Sequence, residues 1–165
     1  MGFVYLSDDK IKTFDEIRVE LDRIRTQNPK VKVVTTNGAF DIIHSGHIKS
    51  LEVASFHGDI LIIGLNSDSS IRSYKSKDRP IIGEEDRAKM LSAFHFVDYV
   101  VIFNENDPRE FLKVIRPDFH VKSRSGYKGI EGPIVEDCGG KIVLTDDIPG
   151  ISTSQIINKI IETER

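Results

Sequence analysis

Cysteine is nearly absent from this chain: Cys138 stands alone among 165 residues. That excludes an intrachain disulfide framework and fits a reducing, cytoplasmic setting. Long hydrophobic runs are absent too, and nothing approaches the roughly 18 consecutive apolar residues of a membrane span. The opening MGFVYLSDDK has neither the basic start nor the apolar centre of a signal peptide. Leu6 stands where a myristoylated Gly2 would need Ser or Thr downstream. Basic charge is in deficit: 23 Lys and Arg against 26 Asp and Glu leave a net charge of −3. That argues against a nucleic-acid or anionic-membrane surface, so any polyanion site has to be local. No Cys/His cluster has zinc-ligand spacing, and no protein metal site is expected. There is no internal repeat and no low-complexity segment.

What remains is a soluble globular composition, 39% apolar and 30% charged, long enough for one well-buried core. We expect one domain over residues 1–165, with 1–30 a helical extension and 31–165 the catalytic core. Its centre is Val31 to Leu51, VKVVTTNGAFDIIHSGHIKSL. Val31, Val33, Val34 and Thr35 read as a buried strand, which Asn37-Gly38 breaks. His44-Ser45-Gly46-His47 follows, and then a helical pattern through Ile48, Leu51 and Ala54. Strand, glycine loop and helix start is an arrangement that gathers phosphate on free N–H groups.

The rest of the chain alternates. Thr13 to Thr26 carries an apolar stripe at Phe14, Ile17, Leu21 and Ile24, with Thr13 and Glu16 spaced as a capping box. That helix is expected to pack on the core or on a second copy in a homodimer. Ile60 to Leu65 reads as a strand buried on both faces, delivering Asn66-Ser67-Asp68 to its C-terminal end. A short helix from Ser69, a polar loop over Ser73 to Arg79 and a helix over Gly83 to Phe94 follow. Further strands are expected at Asp98 to Phe103, Phe119 to Val121 and Lys141 to Leu144. Helices are expected at Pro108 to Ile115, before Cys138, and over Ser152 to Glu162. The alternation implies an α/β fold, Rossmann-like, with a parallel sheet of about five strands and helices on both faces.

Several side chains fall where chemistry is expected. The spacing of His44 and His47 suits donors to phosphate better than it suits zinc. Asp41 fits equally as a loop cap or as one carboxylate toward a magnesium ion. Gly150-Ile151-Ser152-Thr153-Ser154 opens the last helix with hydroxyls that serve as N-caps and as a second anion pocket. Arg79, Arg87, Lys122 and Arg124 are cations near strand ends; Arg79 and Lys122 are the strongest candidates for phosphate. His57, His95 and His120 read as structural.

TNGAFDIIHSGHIKSL resembles the signature of the cytidylyltransferase-like nucleotidyltransferases. Asn66-Ser67-Asp68, Arg79-Pro80, Asp86-Arg87, Val121-Lys122 and Ile151-Ser152-Thr153-Ser154 fall in that superfamily's order, and the likeness spans Val31 to Ile161. Within it, the run Asn37 to Arg87 is most similar to the adenylyltransferase domain of the bifunctional heptose kinase/adenylyltransferases. The resemblance implies transfer of a nucleoside monophosphate from a nucleoside triphosphate, ATP, to a phosphate monoester, D-glycero-D-manno-heptose 1-phosphate. Pyrophosphate is released without a covalent intermediate. It implies catalytic roles for His44, His47 and Lys122. Asn37, Gly38, Ala39, Phe40, Asp41, Gly46, Asn66, Asp68, Arg87, Ile151, Ser152 and Thr153 would bind the nucleotide. Arg79, Lys122 and Arg124 would bind the acceptor, and Mg2+ would be carried by the triphosphate. The heptose enzymes usually read V-K-G-G-D-Y where this chain has Val121-Lys122-Ser123-Arg124-Ser125-Gly126-Tyr127, one residue longer and without the aspartate. A cytidylyltransferase using CTP and glycerol 3-phosphate shares His44 to Lys49, and a non-catalytic nucleotide-binding regulatory domain is the remaining alternative.

Overall fold

The structure, a computed structural model, describes residues 7–147 and 149–164. The readings made for residues 1–6, Gly2 and Leu6 included, and for Arg165 lie outside the described residues. After a 3-10 turn at Ser7–Lys10, the chain runs β1 (Ile11–Lys12), α1 (Phe14–Gln27), β2 (Val33–Gly38), α2 (Ser45–Ser55), β3 (Ile60–Asn66), α3 (Asp68–Tyr74) and α4 (Glu84–Ser92). β4 (Tyr99–Phe103), α5 (Arg109–Ile115), β5 (Phe119–Ser123), α6 (Glu131–Asp137), β6 (Lys141–Thr145) and α7 (Thr153–Thr163) complete it.

All strand pairs are parallel and the order is β1-β4-β3-β2-β5-β6, one sheet of six strands rather than about five. The additional strand is β1, two residues paired with Val100 and Val101 at the sheet edge and too short to show an alternating pattern. It ties the start of the helical extension to the sheet. α1 starts as its sequence dictates: Thr13 Oγ1 accepts from the Glu16 N–H at 3.3 Å, and the Glu16 carboxylate accepts from the Thr13 N–H at 2.8 Å. Its Ile17 and Leu21 pack on the core, not on a second subunit.

Two apolar clusters lie on the two faces of the sheet. One joins β-strand residues to Leu51 and Ala54 of α2 and to Ala88 and Leu91 of α4. The other gathers Ile17 and Leu21 with Phe111, Leu112 and Ile115 of α5 and Val135 of α6. β3, ILIIGLN, is buried through both, which is why its apolar run does not alternate. α7 differs: it buries none of its residues, and Ile160 and Ile161 stay exposed despite the apolar stripe.

β2 pairs with β3 over six residues, Val33↔Ile60 to Gly38↔Leu65, but with β5 only at Val34↔Phe119 and Thr35↔His120. The chain order also reverses between β2 and β5. The strands therefore part just where connections leave to opposite sides, and a crevice opens at their C-terminal ends.

Candidate functional site

The crevice has three connected compartments. A central cavity of about 230 Å³ is lined by Thr36 to Asp41, His47, Ser50, Lys75, Lys122, Ser123 and Thr153. On the β5–β6 side a cavity of about 590 Å³ takes in His44, Gly46, His47, Ser125, Asp147 and Gly150 to Gln155. On the β3 side lies a third, of about 230 Å³, with Asn37, Gly38, Asn66, Tyr74, Lys122, Lys128 and Glu131 among its walls. A larger cavity of about 680 Å³ lies at the opposite end of the strands, around Arg25, Pro29, Lys32 and Asp118, far from the histidines in the fold.

His44 is the N-cap residue of α2 and His47 lies in its first turn, their ring centroids 3.8 Å apart. His47 Nδ1 accepts from the His44 N–H at 3.4 Å, which leaves the proton of a neutral ring on Nε2 as a donor. Burial, then the neighbouring His44 and Lys75, push the His47 pKa down to about 4. Burial lowers that of His44 as well, and its Nδ1 is buried without a hydrogen-bond partner. Both imidazoles are thus neutral at pH 7 in the free protein. Gly46 leaves room for a tight fit between them: a Cβ there would stand 3.0 Å from the His44 ring and 3.4 Å from Ile151 Cγ2, so those side chains would have to give by a few tenths of an ångström. That close approach brings the starts of α2 and α7, both 11 residues long, to the same crevice.

At α7, Gly150 takes φ +91° and Ser152 caps the helix by accepting from the Gln155 N–H at 3.3 Å. The Thr153 hydroxyl donates to the Asp41 carbonyl at 2.7 Å, tying this helix start to the loop before α2. In that loop Phe40 and Ile42 sit at φ 48° and 52°, the left-handed region that non-glycine residues rarely hold.

Asp41 explains how that conformation is kept. Its side chain is nearly fully buried, lies 2.7 Å from Arg79 Nη2, and accepts from Arg79 Nε at 2.8 Å and from the Ile81 and Ile82 N–H groups at 3.0 Å. Burial opposes its charge, but those backbone and arginine donors outweigh it and hold the carboxyl below the usual range. Of the two sequence readings, loop cap and magnesium ligand, the geometry gives the cap. Arg79, expected on the acceptor, is the other half of this clasp. Arg87, expected on the nucleotide, is fully buried. It donates to the carbonyls of Ile82, Ala39 and Asn66 and to Asp68 Oδ1 at 2.7 Å, fastening the loop to the ends of β2 and β3. Nothing in the local sequence of this acidic helix start shows that the guanidinium is engaged by backbone carbonyls, and only the tertiary structure places it there.

Lys122 bridges the split between β2 and β5, its ammonium donating to the Asn37 carbonyl at 3.0 Å and to Asn37 Oδ1 at 3.1 Å. Burial lowers its pKa, and Glu131 opposes the shift. Arg124, by contrast, is solvent-exposed and paired with Asp146 at 3.0 Å. Arg124 is not among the residues that line any of the three compartments. Asn66 and Asp68 stand at the β3 end; Asn66 Nδ2 donates to Ser70 Oγ at 3.0 Å, and Asp68 holds Arg87.

Three lining residues had no sequence signal. Lys75, the C-cap of α3, lines the central and β5–β6 compartments, where burial and Arg79 lower its pKa. It fell in a polar run that looks like plain loop, part of which is α3. Asp147 accepts from Ser125 Oγ at the rim. Glu131, only 3% exposed, lies at the start of α6. No three His, Cys, Asp or Glu side chains group as a metal cage among the described residues, nor is any described helix long and apolar enough to cross a membrane.

Helices on both faces of a parallel sheet, with anion-ready helix starts at its switch point, put the chain among Rossmann-like nucleotide-handling folds. A model of the family described as Cytidylyltransferase-like matches residues 35–159. The chain belongs to that family, as its histidine and glycine signature resembles. Among curated relatives, Bifunctional protein HldE of Campylobacter jejuni subsp. jejuni serotype O:6 is 44% identical over 168 residues, 97% of this chain and 36% of the relative. That of Pelobacter propionicus is 40% identical over 160 residues, 94% of this chain and 32% of the relative. The chain thus spans roughly a third of the length of these relatives. The crystal structure of the lipopolysaccharide core biosynthesis protein from Thermoplasma volcanium aligns with TM-score 0.63 and 25% identity, over 72% of this chain and 98% of that one. Pantoate-beta-alanine ligase from Francisella tularensis aligns with TM-score 0.64 over 92% of this chain and 77% of its own, at 12% identity, a likeness of fold alone.

Proposed function

We propose that this protein transfers the adenylyl group of ATP to a sugar phosphate, D-glycero-D-manno-heptose 1-phosphate, releasing pyrophosphate. The observation that carries the reading is the convergence of the α2 and α7 starts on the adjoining rings of His44 and His47, with Lys122 across the crevice. Relatives named Bifunctional protein HldE, alike over almost the whole chain, support the adenylyl donor and the heptose acceptor.

On this reading the triphosphate lies along the β5–β6 side. Its outer phosphates meet Ser152, Thr153 and the free N–H groups at the start of α7, and its α-phosphate meets the histidines and the Gly38 to Phe40 backbone. The acceptor enters from the β3 side, its phosphate neutralised by Lys122. An acceptor oxygen attacks the α-phosphorus in line, the bond to the bridging oxygen breaks, and pyrophosphate leaves with the electron pair. The neutral imidazoles donate to non-bridging oxygens of the α-phosphate as the transition state gathers charge. No side chain has to act as a nucleophile. Asp41 is already committed to Arg79 and the Ile81 and Ile82 amides, so a magnesium ion would be held mainly by the phosphate oxygens, whose charge it would neutralise.

The test is a matrix of ATP, CTP, GTP and UTP against heptose 1-phosphate, mannose 1-phosphate and glycerol 3-phosphate with magnesium, scored by pyrophosphate. ATP with heptose 1-phosphate is expected to lead. Faster turnover with CTP than with ATP for every working acceptor overturns the donor, and activity with glycerol 3-phosphate while the sugar phosphates stay inert overturns the acceptor. Nucleotide binding without any pyrophosphate release identifies a regulatory domain instead.

A further inference from the structure

Glu131 is buried on α6, in the wall of the β3-side compartment, and its Oε2 has no hydrogen-bond partner. An unsatisfied carboxylate oxygen in a protein interior carries a desolvation cost that native structures rarely leave standing without a use. Packing does not demand an acid here: α6 contributes Val135 to the core, while Glu131 turns to the cavity. Asn37, Asn66 and Asn106 also line this compartment, their amides engaged by Lys122, Ser70 and Ser73, and it opens on the central one through Asn37, Gly38 and Lys122.

Those groups sort by chemistry. Lys122 and Lys128 are cations suited to a phosphate. Beyond them, the unpartnered Glu131 carboxylate oxygen is a free acceptor, which suits neutral hydroxyl groups and rejects a second anion. An apolar or carboxylate-bearing tail would leave Glu131 unpaired or repelled.

We propose that this compartment is the acceptor subsite and that Glu131 is its specificity-determining residue, accepting hydrogen bonds from hydroxyls of a polyhydroxylated phosphate monoester whose phosphate lies on Lys122. The assignment rests on the adenylyltransferase reading above. It goes further by naming the residue that tells a sugar phosphate from a plain phosphate ester.

The test measures binding, so it does not depend on turnover. Heptose 1-phosphate and ethyl phosphate are titrated calorimetrically into wild-type protein, Glu131→Gln and Glu131→Ala, and ATP affinity is measured alongside. Wild type should bind heptose 1-phosphate more tightly than ethyl phosphate. Glu131→Ala should weaken heptose 1-phosphate by about tenfold to a hundredfold, as loss of hydrogen bonds to a charged acceptor does. Glu131→Gln should lose less, and ethyl phosphate and ATP should stay within about twofold of wild type. Equal losses for heptose 1-phosphate and ethyl phosphate would mean that Glu131 only positions Lys122, and the proposal falls. No loss for either overturns it too. A wild type that binds ATP and prefers heptose 1-phosphate yet releases no pyrophosphate refutes the enzymatic reading while leaving the subsite standing. Thermal denaturation of both variants reports folding, and Glu131→Gln, nearly isosteric, keeps the comparison valid if Glu131→Ala unfolds.

Discussion

Replacing Arg87 separates two roles that look alike in sequence, nucleotide ligand and internal fastening. The guanidinium is fully buried and donates to three backbone carbonyls and to Asp68, which is itself 25% exposed. Arg87→Ala strands those acceptors and leaves a cavity between the ends of β2 and β3. Removing one partner of a buried ion pair costs about 3–5 kcal/mol. Water reaches Asp68, so a loss near the lower end, about 3 kcal/mol, is expected once it is discounted for screening. With a urea dependence of about 2 kcal/mol per molar for a domain of this size, the midpoint should fall by about 1.5 M at constant slope. Arg87→Lys, with one ammonium in place of a planar fork, should recover part of that loss. Calorimetry on the folded fraction should show ATP affinity within a few-fold of wild type, with turnover reduced because the Phe40 and Ile42 loop is no longer pinned. A midpoint within about 0.3 M of wild type together with collapsed ATP affinity would refute the reasoning, since urea sensitivity tracks lost stability. Arg87 would then have to reach the nucleotide.

Other perturbations follow from the same geometry. His44→Ala and His47→Ala should each lower turnover at saturating substrate by about a hundredfold to a thousandfold, with little change in ATP affinity, because their donors tighten on the transition state; near wild-type turnover in either excludes the role. Lys122→Ala should raise the acceptor KM or lower turnover with ATP affinity intact, whereas Arg124→Ala, which loses only an exposed pair with Asp146, should leave acceptor kinetics unchanged. Stability should fall on acidification. His47 and His120, with folded pKa values of about 4 and about 3 against an ordinary 6.5, take up protons in the unfolded chain first. Their contribution is complete above pH 6.5 and is lost as the pH falls toward 4, so a urea midpoint that stays flat from pH 7 to pH 5 contradicts the burial of both rings.

The legible parts of this molecule are those written in local sequence. The Thr13 and Glu16 capping box, the buried run of β3 and the glycine-bounded helix starts at His44 and Ser152 are decided within a few residues of themselves, and all appear where expected. The least legible residues are those whose partners are remote. Arg79 lies 38 positions from Asp41, and Arg87 lies 48 from Ala39, so nothing nearby announces that these cations face inward. Glu131 resembles any acidic residue in a first helical turn until the β5–α6 connection swings it into the crevice. β1 is too brief to have a pattern and exists because β4 offers it an edge.

The cavity on the β5–β6 side and the cavity on the β3 side share no lining residue; each overlaps only the central one between them. The two outer cavities are therefore separable, the first sharing His47 among other residues with the middle one and the second sharing Lys122. On the proposed assignment, substitutions at Glu131, Lys128 or Tyr74 would change which molecule receives the adenylyl group while the contacts around Gly150 to Gln155 stay as they are. On that assignment one half would be free to drift toward new acceptors under a fixed donor, and an engineer would have two independent sets of positions to vary in a single small sheet.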